Sequence, residues 1–145
     1  MPLKVVIAQF HSGIGPNGIR PYQWHLCIET GRDYRGFVEA TTFFIRGSSA
    51  GGFRYECHER VRYKKLEQYR GSVCVGMISS KRYRDAVDLM REVMTTDGSE
   101  YVTQSWAYAA ARKLSAYGLM GELWALEFIW EQLRNGERAW ERGDD

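Results

Sequence analysis

The chain has 145 residues, 44% of them apolar and 26% charged, with a net charge of +2. A chain of this length suits one domain spanning 1–145 that buries its own core, and so balanced a composition excludes a disordered polymer. The basic residues alternate with acids, as in Arg32-Asp33-Tyr34-Arg35 and Arg82-Tyr83-Arg84-Asp85, and form no stripe of the kind that holds nucleic acid.

Met1-Pro2-Leu3 leads directly into the β-rich run 4–10, without a charged leader, and no apolar run is long enough to span a membrane. A cytoplasmic, membrane-free protein is expected. The turn-forming stretch 13–18 (Gly-Ile-Gly-Pro-Asn-Gly) predicts a loop after the first strand, placed to border a site. In 22–30 the residues alternate as in a strand: Trp24, Leu26 and Ile28 share one face, and Gln23, His25, Cys27 and Glu29 the other. A turn is expected at 31–33, a third strand at 37–46 and a flexible connection at 47–52. Two further strands are expected at 53–57 and 72–78, with the charged stretch 58–70 unassigned.

From Ser79 onwards the period changes. Tyr83, Ala86, Val87, Met90, Val93 and Met94 follow the spacing of one helix face. Asp97-Gly98-Ser99 ends that helix and caps a second over 100–117, where Val102, Trp106, Ala109, Ala110 and Leu114 form a stripe and Gly118 suits the C-terminal cap. A third helix is expected at 122–133, apolar on more than one face and so able to offer a homo-oligomer contact. The tail 135–145 is expected to fray unless Trp140 anchors it. Strands first and helices afterwards predict an α+β fold, an antiparallel sheet of about five strands followed by three helices. Cys27, Cys57 and Cys74 are an odd set without Cys-x-x-Cys spacing and read as free thiols; no metal site and no cofactor is expected.

Two short motifs add a resemblance. The early strand carries Tyr22-Gln23-Trp24-His25-Leu26-Cys27-Ile28, and a later helix opens on Val102-Thr103-Gln104-Ser105-Trp106. Over about residues 3–120 this order resembles the circularly permuted papain-like (NlpC-type) hydrolases, the group that includes the lecithin retinol acyltransferase type. In that group a strand bears His-Trp and a helix begins Cys-Gln-x-Trp. The resemblance implies a cleft in which a cysteine at a helix N-terminus is served by a histidine of the sheet. Here Thr103 stands at the cysteine position, and either Gln23 or His25 at the histidine position. A helix dipole contributes about 0.3 to 1 kcal/mol, far short of what ionising an alcohol requires, so thiol-type hydrolysis is not expected.

The leading expectation is a fold of this type repurposed for proton-transfer chemistry on a small molecule, such as isomerisation, cyclisation or elimination. His25 would be the acid or base, with Glu29 supporting it. Gln23, Gln104, Tyr22, Tyr101 and Trp106 would bind the substrate, and Thr103 would orient it or act as a nucleophile. The alternative is an inactive pseudo-hydrolase that binds a small molecule or a protein; a third reading is a residual hydrolase or acyltransferase using Thr103.

Overall fold

Residues 5–8 (Val-Val-Ile-Ala) are buried on both sides of the chain, the pattern of a strand covered on two faces. The computed structural model, which describes residues 1–48, 50–95 and 97–145, places them at the heart of an antiparallel sheet. The strands are β1 (Pro2–Phe10), β4 (Gln23–Arg32), β5 (Val38–Ser48), β6 (Gly52–Val61) and β7 (Tyr69–Ser79), in the order β6-β5-β4-β1-β7. The loop expected at 13–18 contains a short hairpin of β2 (Ile14–Gly15) and β3 (Gly18–Ile19), with Gly18 at φ 103°. Helices α1 (Tyr83–Met90), α2 (Val102–Ala116) and α3 (Leu126–Glu141) follow the strands. The α+β architecture is as expected.

The two faces of the sheet are covered differently. Val5, Ile7, Trp24, Leu26, Ile28 and Phe43 pack with Ala86, Met90, Trp106, Leu114, Ile129 and Leu133 of the helices in one cluster. On the opposite face Val6, Ala8, Phe10, Cys27 and Ala40 meet Tyr63 and Tyr69, helped by Trp140. α3 reaches both faces because it runs over the edge strand β7, which also shields that edge from pairing. Two glycines permit the crossing: a Cβ on Gly136 would lie 2.9 Å from the Ser72 carbonyl oxygen, and one on Gly71 2.6 Å from the Gly136 carbonyl carbon.

Several expected boundaries move. The turn placed at 31–33 sits at 33–36, because Gly31 and Arg32 stay paired with Glu39 and Val38 beyond a bulge; Asp33 Oδ1 accepts from the Arg35 and Phe37 amides. β6 takes in His58 to Val61, the first four residues of the stretch left unassigned, since Glu56 pairs with Arg46, Arg54 and His58 and so spreads charge along the strand. Of the connection expected at 47–52, residue 49 lies outside the described residues, while Ser48 already closes β5 and Gly52 opens β6. α1 stops at Met90, short of Met94, where the amides of Glu92 and Val93 turn back to Leu89 and Met90 and the Trp106 indole N–H takes the Val93 carbonyl. Met94 is consequently exposed rather than on a buried stripe. Nor does the tail fray: α3 begins at Leu126 and continues to Glu141, held by the glycine crossing and by Arg70 lying 4.5 Å from the Trp140 ring. Among the described residues no helix is long and apolar enough to cross a membrane.

Candidate functional site

The first turn of α2 is fixed from two directions. Asp97 accepts from the Ser99 amide (2.7 Å) and the Ser105 hydroxyl (2.5 Å), and Ser99 Oγ from the Tyr101 amide, so the capping chemistry expected at 97–99 is in place. These bonds, Ser105 first, hold the Asp97 carboxyl below its ordinary range. From the sheet side, the Trp24 amide donates to Thr103 Oγ1 at 3.4 Å, and Gln104 Nε2 donates to the Tyr22 carbonyl at 2.9 Å. The residue of β4 that packs on the start of α2 is therefore Trp24, while His25 points to the other face by strand alternation.

This separates the residues expected to act together. His25 lies across the sheet from Thr103, in a ladder of rings that runs over four strands. Its imidazole stacks on Phe44 (centroids 4.0 Å apart, planes 7° apart) and lies 4.4 Å from Phe10, with His58 next to Phe44. Burial, then the charges of Arg46 and His58, pull His25 down to about 3, and its Nδ1 has no partner among the described residues. The ring is neutral at physiological pH and a weak base. Glu29 does not support it: four residues along one strand put the two about 13 Å apart. Glu29 instead accepts from the Tyr63 hydroxyl at 2.5 Å. The Thr103 hydroxyl meets the Trp24 amide and, among the described residues, no base. Trp106, expected to touch substrate, is a core residue, 1% exposed, against Tyr55.

Gln104, Tyr22 and Tyr101, by contrast, come together. They line a cleft of about 210 Å3 between β4, α2 and α3, with Trp24, Trp130 and Arg134, which sequence reasoning did not assign to a site. The Trp24 and Trp130 rings meet edge to face at 6.4 Å, and Tyr101 tilts against Trp130 at 5.9 Å. Tyr22 donates its hydroxyl to Glu137, and burial together with that carboxylate pushes the phenol up to about 12. The Gln104 side chain is 7% exposed, and its Oε1 has no hydrogen-bond partner among the described residues. Gln9, in the same wall, donates its amide to the Arg70 and Leu133 carbonyls and is fixed.

A larger hollow of about 580 Å3 adjoins this cleft at Pro21 and Tyr101; it brings the expected residues Gln23, Tyr101 and Thr103 together, beside the β2–β3 hairpin and the loop before α2. Gly15, Gly18, Gly47 and Gly98 line it alongside polar side chains such as Asn17, Arg20, Gln23, Glu100 and Thr103. The smaller cleft has the aromatic surface and the fixed polar atoms of a binding site. Of the segment 122–133 expected to meet a second copy, Ile129 and Leu133 are buried, while Trp124, Phe128 and Trp130 are exposed. Among the described residues no group of three or more His, Cys, Asp or Glu is placed to hold a metal ion. Compared with protein-family models, curated proteins and solved structures, the chain matches none.

Proposed function

We propose that this chain is a binding module whose small-molecule ligand enters the aromatic cleft between β4, α2 and α3. The observation that carries the reading is Gln104: a buried amide, oriented by its bond to Tyr22, whose oxygen has no donor among the described residues. A buried unpaired acceptor costs about 1 to 3 kcal/mol, and a ligand N–H or O–H would remove that cost. Proton-transfer catalysis finds less support, since His25 stays neutral within a ring stack on the opposite face. Support for a relation to the permuted papain-like group is the position of Thr103, in the first turn of a helix laid against the early strand. Three free thiols, two of them exposed, fit a reducing compartment such as the cytoplasm.

The test is a fragment screen at neutral pH followed by two-dimensional amide NMR. Shifts gathered on the Gln104 side-chain amide, the Trp24 and Trp130 indoles and Tyr101 are expected. Hits that map only to the His25 ladder, or no hits, would overturn the reading.

A further inference from the structure

The two edges of the sheet are treated differently. α3 runs over β7, whereas β6 ends the sheet with no strand beyond it among the described residues, and most of its length is exposed. We propose that β6 pairs antiparallel with β6 of a second copy, about a two-fold axis through Tyr55, so that the two sheets become one. An edge strand turns a row of main-chain N–H and C=O groups outward, and a second strand satisfies them in a single step. The segment able to pair is 52–58. Beyond it the ladder to β5 shifts register between Ala40 and Thr42, and Arg60 takes φ 56°, so the regular strand is interrupted.

Charged side chains ordinarily guard an open edge, and β6 carries Arg54, Glu56 and His58 on one face. Their order guards it against the neighbouring registers and not against this one. With Tyr55 opposite its own copy, each Arg54 faces Glu56 of the other chain, Phe53 faces Cys57, and His58 faces Gly52. An axis through Arg54 would set that arginine against itself, and one through Glu56 would set two carboxylates together. An axis through Cys57 would set Arg54 against Arg60. Like charges directly opposite each other are destabilising, so charge selects the Tyr55 register. Arg54 is free to reach across, its side chain being 77% exposed, and Glu56 keeps a second guanidinium, Arg46, at 3.3 Å when it does. Tyr55 rests against Trp106 on the helix side, which holds the centre of the segment in place. Residues 52–58 of each copy are fewer than the roughly 20 to 30 that a stable interface uses on each side, so the dimer is a weak and reversible one.

The experiment is sedimentation equilibrium of the full chain at low salt, from about 10 μM to about 1 mM, the range of a weak contact. A monomer–dimer equilibrium within that range is expected. Arg54→Glu and Glu56→Arg each set like charges opposite one another and are expected to lower the association constant about tenfold or more. An equimolar mixture of the two variants is expected to restore it, because each chain then meets its opposite in the other. Should Glu56→Arg fail to fold, the double variant Arg54→Glu/Glu56→Arg restores the pair within one chain. Phe53→Cys, set opposite Cys57, is expected to give a disulfide-linked dimer on mild oxidation, with the introduced thiol mapped to Cys57. A chain that stays monomeric at the highest concentration overturns the proposal. So does a dimer that neither charge change weakens, since it would lie elsewhere. A mixture no stronger than either variant alone overturns the register. Amide NMR shifts along β6 that follow an added acidic peptide and not protein concentration also overturn it, and assign the edge to a foreign strand.

Discussion

His25 shows how one residue's surroundings decide its chemistry. Between Phe10 and Phe44, with Arg46 and His58 nearby and only Glu56 opposing them, the imidazole is held neutral down to about pH 3, against about 6.5 in an unfolded chain. The unfolded chain therefore binds the extra proton first as pH falls. His25 contributes stability that is complete above about pH 6.5 and is lost progressively between there and pH 3. From pH 7 to pH 5 the loss is about 2 kcal/mol, taking 1.36 kcal/mol per pKa unit. His25→Phe, which keeps a ring in the stack, is expected to remove that part of the pH dependence. Urea unfolding of both proteins at the two pH values measures it, and equal losses would contradict the burial argument. The alternation of β4 was legible in the residues themselves, but which of its faces met α2 was misjudged. The polar set looked like a site, yet helices pack on the apolar set, so Trp24 and not His25 faces Thr103.

Among the elements, α3 departs furthest from its sequence signal. Apolar spacing fades after Leu133, where the expected helix ends, but the helix continues for two further turns because its backbone rests on β7. Glycine there serves close approach and not flexibility. In a free helix Gly→Ala gains about 1 kcal/mol. At Gly136 the new methyl would lie 2.9 Å from the Ser72 carbonyl oxygen and 3.2 Å from its nitrogen, both part of a strand that cannot yield easily. Gly136→Ala is expected to destabilise the protein by about 1 to 3 kcal/mol, the range for overpacking. Thermal or urea unfolding gives the sign directly, and a stabilised variant would show that α3 does not lie this close. The strands and the first two helices were legible because their periods of two and three to four are local properties. The crossing of α3 over β7 joins residues 65 apart in the chain, which no local period reports.

Across the whole molecule, the cleft exists only because three distant parts converge: the start of β4, the first turn of α2 and the middle of α3. Gln104, Tyr22 and Tyr101 could be selected from sequence because two of them flank recognisable motifs and the third opens a helix. Trp130 and Arg134 could not, since α3 reads as an amphipathic helix with no sign of which turn meets Trp24. The central claim is that ligand meets the helix-covered face of the sheet and not the ladder of rings around His25. The most direct measurement compares the affinity of the tightest fragment from the screen for the unaltered chain, Trp130→Ala and His25→Phe. A tenfold or greater loss in Trp130→Ala with affinity kept in His25→Phe is expected; the reverse order would move the site to the opposite face and contradict the assignment.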